Sequence, residues 1–350
     1  MKKTLLAILA TVAMVACSND EIVREAAPEA IGFDNAFVNN STRSANDPSY
    51  SSKEGGKMFT SFRVYGFVEG APLFEGTEVT GSGFGENGNW TYTDTQYWIA
   101  GANYDFHAVA PTTDNMSKVV YTAANGVTFD YNNVSGEEDM LYAFAEATGL
   151  VSGNDAVEFD FRHILSKVKF SFVNGYDASN ATLKVTNVKI TNAHKTANVA
   201  LNNTTVTWTG NNGETDNDLD FGAATCREDT TAAKDYAFGS IYESDNERFV
   251  IPSAVYEYEV TFTVELWING VQVDVDSKTA GVQGYNHTAT AKFAPVAGNA
   301  YDINATINAK NIDPNHAQEP IKFTVTKITD WGTTESVEGG NDDGDNVVIG

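Results

Sequence analysis

Five histidines, at positions 107, 163, 194, 287 and 316, are the side chains most able to bind a metal or move protons near neutral pH. None has a second His or Cys at the spacing of a zinc site, so structural or surface roles account for them. Ser166-Lys167-Val168-Lys169 has the letters of a Ser-x-x-Lys nucleophile pair, but it lies in an alternating run where residues three apart point to opposite faces. Gly81-Ser82-Gly83-Phe84-Gly85, with Gly88 behind it, imitates a dinucleotide loop. No helical pattern follows to present amides to a pyrophosphate, and a hairpin loop is the better reading. Asp216, Asp218 and Asp220 alternate like the first ligands of a calcium loop, with Gly222 and Glu228 each one place late. Calcium there stays open beside a solvated acidic loop. Trp90, Tyr92, Tyr97 and Trp98 offer either a sugar-stacking platform or core, and Trp98-Ile99-Ala100-Gly101 running into a strand favours core. No acid, base, nucleophile or metal set converges, so the chain is expected to be non-enzymatic, without cofactor or metal.

The elements that carry these residues read as strands. Tyr258, Val260, Phe262, Val264, Leu266 and Ile268 alternate with Glu257, Glu259, Thr261, Thr263 and Glu265, the pattern of a strand with one wet face. Val157-Phe159-Phe161, Val168-Phe170-Phe172, Tyr301-Ile303-Ala305-Ile307 and Ile321-Phe323-Val325 repeat it between clusters of turn residues. Leu183-Val185 and Val188-Ile190 are out of phase, which a bulge at Thr186-Asn187 explains. Asn269-Gly270 signals a two-residue hairpin. Many short strands between turns predict antiparallel β-sandwiches, and 350 residues suit two of them.

Composition narrows the function classes. Lys and Arg number 22 against 47 Asp and Glu, a formal net charge of -25, which argues against a nucleic-acid partner because phosphate contacts need cations. With 42% hydrophobic and 20% charged residues, the chain has material for a core and is unlike a disordered acidic segment.

The N-terminus reads as an address. Met1-Lys2-Lys3 is a basic start, and Thr4 to Ala16 is an apolar run too short for a transmembrane helix of about 20 residues. Met14-Val15-Ala16-Cys17 resembles a bacterial lipobox, with Met14 where Leu is usual, and makes Cys17 the expected site of acylation. Ser18-Asn19-Asp20-Glu21 resembles the acidic signal that exports lipoproteins of the Bacteroidetes to the outer face of the outer membrane. Cys226 is the one other cysteine, and two cysteines cannot build a disulfide framework.

Three segments carry a family resemblance. Tyr97 to Pro111 looks like the W…G…Y.F.A..P strand pair of the fimbrillins, the pilus subunits of Bacteroidales. Asp139-Met140-Leu141-Tyr142-Ala143 and Val157 to Phe170, including Arg162-His163-Ile164-Leu165-Ser166-Lys167, are similar to that family's most specific block. Ile321 to Val325 with Asp330-Trp331 resembles its last core strand and closing tryptophan.

The resemblance implies an all-β protein of two transthyretin-like antiparallel β-sandwich domains. The expected divisions are a signal peptide 1–17, a leader 18–43 removed on maturation, an N-terminal domain 44–162, a C-terminal domain 163–331 and an acidic tail 332–350. It further implies anchoring to the outer membrane by acyl chains on Cys17. An Arg-specific maturation protease then cuts between Arg43 and Ser44, and the subunits form a homo-polymer with other fimbrial subunits by strand exchange. In this chain Ile31, Phe33 and Phe37 would form the removed first strand, and Val347, Val348 and Ile349 the donor. Arg24 is a second possible cut, but it would leave that first strand in place. Two other readings stand beside this one: a surface-anchored glycan-binding lipoprotein, and a tip or anchor subunit of a fimbria.

Overall fold

The computed structural model describes residues 28–38, 50, 57–83, 88–177, 181–210, 217–226, 239, 241–272, 285–312, 319–329 and 333–337. They form three sheets and one short helix.

Strands β1 (Phe33–Val38), β2 (Ser61–Val68), β3 (Ala71–Ser82), β4 (Asn89–Thr91), β5 (Asn103–Ala110), β8 (Leu141–Thr148) and β9 (Val157–His163) make a seven-stranded sheet. Its spatial order is β1-β9-β8-β5-β2-β3-β4. A four-stranded sheet, in the order β13-β12-β7-β6, joins β6 (Met116–Thr122) and β7 (Gly126–Asn132) to β12 (Thr196–Asn202) and β13 (Thr205–Thr209). Strands from either side of the 162/163 junction therefore share a sheet, through the antiparallel register Thr196↔Asn132 to Leu201↔Val127.

The third sheet has eleven strands: β10 (Ser166–Gly175), β11 (Ala181–Ile190), β14 (Leu219–Cys226), β15 (Ile241–Ser244), β16 (Arg248–Val250), β17 (Tyr256–Ile268), β18 (Val271–Gln272), β19 (Tyr285–Phe293), β20 (Ala300–Asn308), β21 (Phe323–Thr329) and β22 (Thr333–Val337). The helix α1 (Ala309–Ile312) follows β20. Most pairings are antiparallel, as expected. Two are parallel, β1 with β9 and β10 with β20.

Alternation explains the outer sheet. In β17, Tyr258, Val260, Phe262, Val264 and Leu266 are buried while Glu257 and Glu259 are exposed. The phase shift in β11 is a bulge, with the register slipping between Thr186 and Lys189 and Asn187 at φ 55°. The central strands do not alternate, because both their faces are covered. Phe62 and Val64 of β2 join the core inside the seven-stranded sheet, whereas Tyr65 joins a second core with Phe129 and Val199 of the four-stranded sheet. In β5, Ala108 and Ala110 face the first core and Val109 the second.

Asn269 and Gly270 turn the β17–β18 hairpin at φ 52° and 75°, which is type I′ backbone. Gly270→Val puts a β-branched residue in the left-handed region, and about 1–2 kcal/mol of stability is expected to be lost in chemical denaturation.

Candidate functional site

The most unusual segment is the one around β1, which precedes the rest of its sheet by more than twenty residues. Phe33 is buried, and its ring stacks on Phe159 at 5.7 Å and meets Phe62, Phe74, Tyr92 and Phe106 at 5.4–6.3 Å. Ile31 and Val38 lie in the same core. Burying three such side chains contributes roughly 1.5–3 kcal/mol each.

The backbone is held on two sides. Toward β9, the Val157 amide donates to the Gly32 carbonyl at 2.8 Å, and the parallel register runs Phe33↔Val157 to Val38↔Phe161. Toward the 96–98 segment, the Ile31 amide donates to the Gln96 carbonyl and the Trp98 amide to the Glu29 carbonyl, both at 2.9 Å. The Tyr92 hydroxyl donates to the Ile31 carbonyl at 2.7 Å, and the Asn154 side chain and amide donate to the Glu29 carboxylate at 2.8 Å. Those Asn154 bonds hold the Glu29 carboxyl below its usual range. β1 nevertheless ends the sheet, paired to one strand of it. Phe37 occupies a register position opposite Asp160, and its side chain lies outside the described residues.

A second anchor lies at Tyr50. Its amide donates to Asp139 Oδ2 at 3.1 Å, and the same oxygen is 2.7 Å from His163 Nδ1, with Asp139 fully buried. The Tyr50 ring packs edge-on to Phe59 at 5.8 Å. Burial, reinforced by the charges of Glu138 and Asp139, pushes its phenol up to about 12, so it stays neutral. Asp139 and His163 sit 24 residues apart. Spacing gave no sign of their contact, although both fall in the block that resembles the fimbrillins.

Cys17, Arg43, Ser44, Val347, Val348 and Ile349 lie outside the described residues, as do Arg24, Asp216, His316 and Trp331. Ile31 and Phe33 are brought together in one core, as described above. At the other end of the chain, residues 333–337 do not run free of the body: they pair antiparallel with β21, from Val325↔Val337 to Thr329↔Thr333.

The described residues of the other chemical candidates make the following contacts. Ser166 donates to the Val296 carbonyl at 2.6 Å, while Lys169 pairs with Glu243 at 2.8 Å. Gly81 faces Trp90 across the β3–β4 pairing, where a Cβ would lie 2.0 Å from the Asn89 carbonyl oxygen. Asp218 reaches Lys189 at 3.7 Å, and Asp220 accepts from the Gly222 amide at 2.8 Å. Among the described residues no group of three or more His, Cys, Asp and Glu is arranged to hold a metal ion. Trp90 and Trp98 are buried and Tyr92 packs against the same core, so of the four aromatics only Tyr97 is exposed.

His107 shows how burial settles one histidine. Its Nδ1 lies 2.7 Å from the Tyr142 hydroxyl, which itself donates to the Asn203 carbonyl at 2.8 Å, so Nδ1 carries the proton of a neutral ring. Burial lowers its pKa from 6.5 to about 4. The unfolded chain then binds more protons than the folded one between about pH 6.5 and 4, and stability falls as the pH drops through that window. The expected loss is on the order of 2–3 kcal/mol from this group. Denaturation at pH 7.5 and 4.5 checks it, and His107→Gln should lessen the pH dependence.

The described residues form an all-β body with β1 seated at the edge of its sheet. The chain belongs to the fimbrillin-like family, whose model matches residues 45–331. It is also similar to solved structures described provisionally as cell adhesion proteins. One from Bacteroides uniformis is 18% identical, with 86% of this chain and 98% of that chain covered at a TM-score of 0.42. One from Bacteroides ovatus is 13% identical, covering 91% and 99% at 0.45. A protein of Bacteroides thetaiotaomicron, described provisionally as an adhesin, is 10% identical, covering 90% and 99% at 0.42. No curated protein matches the chain. Family membership places the chain among fimbrial subunits of the cell surface. No helix among the described residues is long and apolar enough to cross a membrane.

Proposed function

We propose that the chain is the structural, non-enzymatic subunit of a surface fimbria, exported as a lipoprotein acylated on Cys17 and activated by proteolysis between Arg43 and Ser44. The observation that carries this reading is the position of β1: Ile31, Phe33 and Val38 fill the core of a sheet that otherwise begins at residue 61. Eleven residues, 39–49, separate it from the anchor at Tyr50, and they contain Arg43. Support also comes from the family match, which starts at residue 45, after the proposed cut.

A cut at Arg43 severs β1 from the rest of the chain. Its departure uncovers the rings of Phe62, Phe74, Phe106 and Phe159 and frees the β9 edge from Val157 to Phe161. Unpaired edge groups beside apolar surface recruit another strand. Val347-Val348-Ile349 of a second subunit is the proposed occupant. β22 keeps 333–337 on the donor's own sheet, and the nine residues 338–346 span up to about 30 Å from it. In this reading 44–162 and 163–331 are the two domains of the mature body, tied by the four-stranded sheet.

Treating the purified precursor with an Arg-specific protease tests the reading. The expected products are a body beginning at Ser44 and ladders that resist mild SDS. Arg43→Ala should abolish both, and cleavage without assembly would count against strand exchange. Truncation before Asn346 should leave cleavage unchanged and stop elongation. Normal ladders from that truncation would remove Val347–Ile349 from the mechanism.

A further inference from the structure

Where the leader enters the fold, four large apolar side chains are turned outward. Tyr97 is 48% exposed, Ile99 57%, Leu150 54% and Val151 79%. They form one rim because two loops are bonded together. The Gly101 amide donates to the Gly149 carbonyl at 2.7 Å and the Gly149 amide to the Ala102 carbonyl at 2.9 Å. A Cβ on Gly149 would lie 2.2 Å from the Ile99 carbonyl oxygen, so the loops touch at the backbone. Tyr97 and Ile99 flank the buried Trp98 and point out by simple alternation. The Leu150 amide is bonded to Asn154 at 2.6 Å, and Asn154 holds Glu29. Ala30 bridges Tyr97. The core needs none of these four side chains, and an exposed cluster of this kind marks an interaction surface.

The chain itself indicates what meets the rim. Pro28 begins the described segment beside it, and Cys17 lies eleven residues upstream, a reach of at most roughly 40 Å. With acyl chains on Cys17, this end of the body is kept within that reach of the bilayer. Tyr with Ile, Leu and Val is a composition suited to the membrane–water interface, and a lipid-anchored protein gains from a second weak contact. We propose that the rim Tyr97-Ile99-Leu150-Val151 rests on the lipid surface and orients the uncut precursor there. The proposal rests on the acylation of Cys17 in the reading above. The net charge of -25 makes zwitterionic lipid the favoured surface and anionic lipid the disfavoured one.

The test uses the chain from Cys17 to Gly350 with Cys226→Ser, so that Cys17 alone couples to a maleimide lipid in phosphatidylcholine vesicles. Hydrogen exchange is followed at 97–102 and 149–152 on the vesicle and in free solution. Exchange there is expected to slow several-fold on the vesicle, with 256–268 unchanged. The protection should vanish in Ile99→Asp/Val151→Asp, whose sites are exposed and tolerate the change. Equal exchange in the two settings would overturn the proposal. So would protection that appears in free solution as concentration rises, which would make a second copy of the chain the occupant. The mass of the N-terminal peptide recovered from cells tests the acylation reading separately, because the maleimide tether does not depend on it.

Discussion

Phe33→Ala is expected to lower the stability of the uncut chain by about 3–5 kcal/mol, the range for removing a large aromatic from a packed core. Five rings surround Phe33, and the cavity left by its loss cannot close without moving strands of the same sheet. The effect should show as a lower denaturation midpoint and as faster release of the leader after cutting. It also has a built-in control. In the proposed maturation residue 33 leaves with the leader, so the variant and the parent should give the same body beginning at Ser44. Any difference that survives cleavage and removal of the leader peptide would mean that residue 33 does not act through β1.

Asp139→Ala is expected to cost on the order of 3 kcal/mol, because it removes a buried carboxylate that binds both the Tyr50 amide and the His163 ring. The loss should have a local signature. Amide exchange at Tyr50 should rise by more than exchange in β17. Asp139→Asn keeps an oxygen for Tyr50 and His163 but places an NH2 where Oδ1 now has no hydrogen-bond partner, so it should recover part of the loss. Full recovery would show that charge is unimportant at this site. Retention of the Tyr50 anchor matters to the proposed cut, since it keeps the new N-terminus attached to the body while β1 departs.

The two anchors differ in how far the sequence revealed them. The apolar segment from Ile31 to Val38 stands out between polar stretches of the sequence, and the strand it suggests is found over 33–38. Its parallel pairing with β9 is not visible, because partners more than 120 residues apart carry no local signal. The alternation of β17, the bulge at Thr186-Asn187 and the Asn269-Gly270 turn are local events, and all three stand as read. β2 and β5 are harder. Covered on both faces, they lose the period of two that a half-exposed sheet would impose. The four-stranded sheet is hidden for the same reason that its strands are short and come from both halves of the chain. Asp139 and His163 read as separate polar residues until the β8–β9 pairing sets Leu141 opposite His163. The acidic tail also changes meaning. Thr333–Val337 has enough β-branched residues to extend the sheet at β21, so this part of 332–350 belongs to the body.

The N-terminus of the subunit in fibres sheared from the cell surface tests the central claim most directly. Mass spectrometry of that material should find chains that begin at Ser44, with no peptide containing Phe33 attached to the body. Fibres built from chains that begin at acylated Cys17, or that retain residues 33–38, would contradict the account.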